Sequence, residues 1–178
     1  VTTGEVGIND EFKDRDPRFY HDIVFDGFKY FHAALDEVRE PYRYCELFTG
    51  GNMRPVANGS RTGYFIQKLV PHTCNAFDRE YDWGFSMHVY LPYMRLADVY
   101  LMYAEATAVI GGRDGKSSKC NLTSVDAINK LRDRVGAGHV DAGFSGNAYM
   151  DEVRRERAVE HMFEGHRFND LQRWLLLT

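Results

Sequence analysis

Apolar positions along the chain follow two regimes. Over the first ninety residues they cluster without a sustained period, and over the last ninety they recur at helical spacing. In the first regime, Phe28, Phe31, Leu35 and Val38 predict a helix stopped by Pro41. The run Tyr64 to Val70, aromatic and branched and ended by Pro71, predicts a strand. Residues 49–63 are loop composition throughout.

The second regime opens at Pro92, a residue suited to a first helical turn because its missing N–H costs nothing there. From Tyr93 to Ile110 the sequence is apolar except for Arg95, Asp98, Glu105 and Thr107, which predicts a helix packed on most sides. Gly111 and Gly112 end it. Thr123 and Asp126 form an S/T-x-x-D start for a second helix, with Val125, Ile128, Leu131 and Val135 on its apolar face and Gly136 as its stop. A third helix is expected over about 147–164. Its core stripe, followed from Tyr149, runs Val153, Glu156, Glu160, Phe163, Arg167, so two glutamates and an arginine stand among apolar members. Either those carboxylates are buried against arginines, since an isolated buried charge is too costly, or the helix turns them to water. Periodicity alone leaves both readings open.

Composition narrows the function classes. The chain has 178 residues, enough for one ordinary domain or part of a larger one. A formal charge of −4 offers no footprint for a polyphosphate, so nucleic acid is not an expected partner. Cys45, Cys74 and Cys120 form no C-x-x-C pair, which argues against a disulfide framework or a cysteine zinc site. No apolar run reaches the roughly 18 residues a membrane helix needs. The chain starts without Met and stops on the apolar run 174–177, so we expect a piece of a longer protein.

Two features could carry chemistry. His161 and His166 bracket Glu164, but zinc helices place paired histidines four residues apart. A separation of five turns the second ring about 140° away on one helix, and Gly165 is expected to end the helix between them. No metal site is therefore expected, and no Gly-x-Ser-x-Gly elbow, P-loop or dinucleotide fingerprint appears. Aromatic content of 14% is the second feature. Aromatic faces on loops can stack on sugar rings. Tyr81 and Trp83, set among Asp78, Arg79, Glu80 and Asp82, are the least core-like, and Tyr42 and Tyr44 just past Pro41 are weaker candidates. The competing reading is that loop aromatics merely fill the irregular half.

Three blocks in order carry a family resemblance: PYMRLADVYLMYAEA (92–106), AINKLRDRVG (127–136) and RERAVEHMFEGHRFNDLQRW (155–174). Together they resemble the SusD/RagB family of nutrient-binding outer-membrane lipoproteins, with weaker similarity through DPRFY (16–20) and GYFIQK (63–68). Asp98 stands where the family pattern has Glu, and His161 where it has Leu. The resemblance implies a mainly α fold of tetratricopeptide-like stacked helices with an irregular, loop-rich half containing little β. The whole chain, 1–178, would be the C-terminal portion of one domain, irregular over 1–90 and helical over 91–174. It further implies that Arg95, Arg134, Glu156, Glu160, Arg167 and Asp170 form a structural charge network. As function it implies capture of oligosaccharide at the outer-membrane surface for a SusC-like TonB-dependent transporter, without enzymatic activity or cofactor. The lipid anchor would lie outside this chain. Three alternatives stay open at this point: a helical-repeat adaptor that binds only protein, a binder of peptide or another nutrient, and a glycosidase with two facing carboxylates.

Overall fold

The computed structural model describes residues 10–70 and 90–177. The fold is mainly α, and the chain divides into two compact units at 91/92.

The first unit is irregular backbone around an aromatic core. Its short elements are α1 (Phe19–Asp22), β1 (Ile23–Val24) and β2 (Phe65–Ile66), with β1 and β2 antiparallel in the register Ile23↔Ile66 and Val24↔Phe65. Phe25 sits at the centre, its ring 5.1 Å from those of Phe12 and Phe19 and 5.8 Å from that of Phe28. Val24, Cys45 and Leu47 complete the buried set.

Two expectations for this unit are corrected. Residues 28–38 form no helix. Their backbone pairs across the chain instead, with Cys45 N–H donating to Phe28 O at 2.8 Å and Tyr30 N–H to Arg43 O at 2.8 Å. The Arg43 guanidinium then takes the carbonyls of Phe31 (3.2 Å) and Ala33 (3.0 Å), oxygens that a helix would need for itself. Of the four-residue stripe, Phe28 and Phe31 are buried but Val38 is exposed, so two apolar residues three apart mimicked a period. The strand expected over 64–70 shrinks to Phe65–Ile66 because the chain turns at once. The N–H groups of Gln67 and Lys68 both reach Asp22 O, and Leu69 takes a positive φ of 63°.

The second unit contains α2 (Leu96–Gly111), α3 (Ser124–Val135), α4 (Gly146–Glu160) and α5 (His166–Arg173). α2 begins at Leu96 and not at Pro92, because the Asp98 carboxylate accepts the Arg95 N–H at 2.7 Å and caps the helix there. Its buried apolar face is Ala97, Leu101, Ala104 and Ala108, and the three alanines admit α3 and α4 closely. Ala104 and Ala108 pack with Val125, Ala127, Ile128, Tyr149 and Val153. Polar atoms in this seam are paired: Ser124 Oγ donates to Ala104 O at 2.7 Å and lies 2.7 Å from Tyr149 Oη. The opposite face, with Val99, Met102, Val109 and Ile110, is exposed, so α2 is not packed on most sides as its composition suggests.

α3 starts and stops as read. Thr123 Oγ1 accepts the Asp126 N–H at 3.2 Å, and Gly136 closes the helix in the left-handed conformation at φ +72°. α4 is shorter than expected. It ends at Glu160, Phe163 follows with φ +66° and Gly165 with φ +80°, and the turn launches α5.

Candidate functional site

The early end of α4 decides which signature residues face inward. Tyr149, Val153, Glu156 and Glu160 lie on its buried face, with Glu156 and Glu160 at 0% and 2% exposure. Phe163 and Arg167, past the end of the helix, are exposed, because a 3.6-residue period holds only while the helix lasts. Arg167 therefore does not share the stripe or the network for which it was named.

The buried carboxylates meet arginines from α3 and from the start of α2. Arg132 Nε donates to Glu156 Oε2 at 2.8 Å, while its Nη2 reaches Glu152 and its Nη1 the Gly138 carbonyl. Glu160 is clasped from two sides: Arg95 Nη1 donates to Oε1 at 2.9 Å, and Arg134 Nη2 lies 2.8 Å from both oxygens. Arg95 also makes a two-pronged contact with Glu164, at 2.6 and 3.0 Å. This is the planar guanidinium fork meeting a carboxylate edge to edge.

A second set fastens α5. Arg157 Nε donates to Asp170 Oδ2 at 2.7 Å and Arg173 Nε to Asp170 Oδ1 at 2.9 Å. Arg173 and the Trp174 indole N–H then converge on Glu105 of α2, at 2.5 to 2.7 Å. The Arg173 guanidinium also lies over the Trp174 ring, 4.6 Å from its centroid.

Ionisation follows from these contacts. Burial works against a charged Glu152, but the hydrogen bonds from Arg155 and Arg132 outweigh it and hold its carboxyl below the usual range. Glu105 behaves alike, burial opposing and Arg173 with Trp174 prevailing. For Arg95, burial is outweighed by Glu164 and Glu160, which raise its pKa further. In the first unit, burial, aided by Asp26, pushes the Cys45 thiol up to about 12, so this cysteine behaves as an apolar core residue.

The aromatic candidates divide. Tyr42 ends a short 3-10 turn, Glu40–Tyr42, with 47% of its surface exposed. Tyr44 is half-buried two residues on, its carbonyl accepting from the Asn52 side chain at 3.2 Å. Tyr81 and Trp83 lie outside the described residues. An open concavity of about 510 Å³ is formed in the same unit by residues 49–61, lined by Thr49, Arg54, Asn58, Ser60 and Arg61 among others.

The histidines do what helical spacing forbids. Because α4 stops at Glu160 and the chain reverses through Gly165, the His161 and His166 rings lie 4.5 Å apart between centroids. The expectation that the second ring points away is corrected by that reversal. Asp98 of α2 faces both rings, 3.2 Å from His161 and 3.5 Å from His166. Burial lowers the pKa of His161; Asp98 opposes the shift, and Arg157 and His166 add to it.

Similarity to known proteins agrees with this architecture. A crystal structure of a SusD-like protein from Bacteroides fragilis superposes with a TM-score of 0.69 at 27% identity, over 93% of this chain. The chain spans only 29% of that protein's length. A search of curated proteins returned no match. The SusD family model matches residues 2–177, nearly the whole chain, and the chain belongs to the SusD family.

Proposed function

We propose that this chain is the C-terminal portion of a cell-surface nutrient-binding subunit that captures oligosaccharide for a partner TonB-dependent transporter in the outer membrane. The observation that carries this reading is the family match across residues 2–177. The arrangement of the charged signature supports it. Glu105, Glu152, Glu156, Glu160, Glu164 and Asp170 all face arginines and act as fasteners between helices. The binding surface then belongs to the loops of the first unit. There Tyr42 offers an exposed ring, with Tyr44 two residues on, and the sequence adds Tyr81 and Trp83 as aromatic candidates outside the described residues. No helix among the described residues is long and apolar enough to cross a membrane, and attachment through a lipid anchor elsewhere in the protein meets that need.

Calorimetry of the full-length protein against a panel of oligosaccharides, with product analysis alongside, tests the proposal. Binding without turnover is expected, weakened by Tyr42→Ala or Trp83→Ala. Turnover would point to a glycosidase, and absence of both to a protein-binding adaptor or a binder of another nutrient.

A further inference from the structure

The meeting of Asp98, His161 and His166 is not needed to hold the helices, which the arginine–carboxylate pairs already join. Among the described residues this trio brings together one ligand atom each from an aspartate and two histidines, all within 4.8 Å of one another. Each residue is held in place for a different reason. Asp98 commits Oδ2 to the Arg95 N–H at 2.7 Å, which leaves Oδ1 directed at the rings. His161 caps α4 with its ring 3% exposed, and its Nε2 is buried with no hydrogen bond, although Asp98 Oδ1 is 3.2 Å away. A buried ring nitrogen without a hydrogen bond calls for a partner. His166 opens α5 after the Gly165 reversal, and about a third of its side chain reaches solvent.

We propose that Asp98 Oδ1, His161 Nε2 and His166 Nε2 bind a divalent transition-metal ion of the zinc class, clipping the start of α2 to the α4–α5 turn. Ligand bonds of about 2.0–2.2 Å in a tetrahedron place ligand atoms about 3.3–3.6 Å apart. Of the two carboxylate–imidazole distances, 3.5 Å falls within that edge and 3.2 Å just short of it. Two imidazoles with one carboxylate suit zinc, cobalt or nickel; calcium and magnesium ask for oxygen alone. The solvent-facing side of His166 leaves the fourth position to water.

The surroundings support such a site. His161 Nδ1 lies 3.3 Å from Arg95 Nη2 and 3.5 Å from Glu164 Oε2. Arg95 Nη2 directs its two hydrogens at the Glu160 carbonyl (3.1 Å) and Glu164 Oε1 (2.6 Å), so Nδ1 is open to carry the ring proton. With an ion on Nε2 the proton sits on Nδ1, where Glu164 accepts it, giving the carboxylate–histidine–metal arrangement that fixes a ligand's tautomer. The neighbouring cations are balanced, Arg95 by Glu160 and Glu164 and Arg157 by Asp170. Asp98 and His161 are also the two positions at which the sequence departs from the family motifs, and they meet at this point.

Titration of untagged, chelator-stripped protein with Co(II) and then Zn(II) decides the matter. One equivalent of Co(II) should bind, with visible d–d absorption that Zn(II) abolishes. His166→Gln and His161→Leu should each weaken uptake by more than about tenfold, a loss of the size that removing only an outer-shell partner can cause. His139→Gln, which disrupts the His139–Asp133 pair elsewhere in the unit, should change nothing. Circular dichroism checks that each variant is folded. His166, being partly exposed, carries the decision if His161→Leu fails to fold. No stoichiometric uptake at micromolar free metal, or uptake that survives the His166 substitution, overturns the proposal.

Discussion

The two units solve the same problem with opposite chemistry. In the first, short irregular segments converge on a knot of aromatic rings around Phe25, and polar side chains cap loose backbone groups: Arg43 on two carbonyls, Asp26 on the Leu47 N–H at 2.7 Å. In the second, regular helices satisfy their own backbone, and their flanks meet through small residues and arginine–carboxylate forks. Irregular backbone thus draws its polar side chains inward to the main chain. Helices, having no such need, can turn theirs on one another. The cost is specificity of position: an aromatic knot tolerates some repacking, whereas a buried ion pair works only with both partners present.

Substitution should separate the two strategies. Phe25→Ala should cost about 3–5 kcal/mol in chemical denaturation of the full-length protein, through a cavity. Glu160→Ala removes the carboxylate that Arg95 and Arg134 share, while Arg95 keeps Glu164, and should cost about 1.5–3 kcal/mol, leaving the oligosaccharide binding proposed above unchanged in the folded fraction. A cost under about 1 kcal/mol would mean the pairs are incidental. Amide exchange should then rise around residues 23–47 for Phe25→Ala and around α4 for Glu160→Ala. Acid provides the next contrast. The Glu152 and Glu105 carboxyls titrate lower in the folded protein than in the unfolded chain, so their stabilisation is complete above the ordinary glutamate value of about 4.3. It is lost as pH falls through their depressed folded values. Thermal melts across pH 6 to 2 should show the helices loosening with acid beyond the aromatic unit, and equal sensitivity would erase the distinction. The smallest effect belongs to Arg167→Ala, expected within about 0.5 kcal/mol of wild type because its side chain is exposed.

What the sequence disclosed follows the same division. α3 was legible at both ends because its signals are local: a Thr123–Asp126 start and a Gly136 stop. The partnership of Glu156 and Glu160 with arginines was legible as an energetic necessity once they fell on a core stripe, though periodicity could not choose between burial and exposure. Helix ends were misjudged where a distant or unusual contact set them. Asp98 trims α2, and the positive φ of Phe163, unusual outside glycine, ends the α4 period before Arg167. Residues 28–38 misled because the choice of backbone partner is made by Arg43 and Cys45, out of reach of any local window. The histidine pair was illegible for a related reason. Spacing rules describe one continuous helix, and these rings face each other across a reversal.

The Arg95 side chain carries a consequence for how the molecule is assembled. Its partners Glu160 and Glu164 lie 65 and 69 residues further along the chain, and Glu105 waits 68 residues for Arg173. Each helix can form on its own within about a microsecond, but these contacts must wait for a long loop to close. The charges stay hydrated until then, so the pairs are sealed late and contribute little to the rate-limiting encounter. Their loss should accordingly appear as faster unfolding, with refolding nearly unchanged. A slow unfolding rate guards against proteolysis when cleavage outruns reclosing.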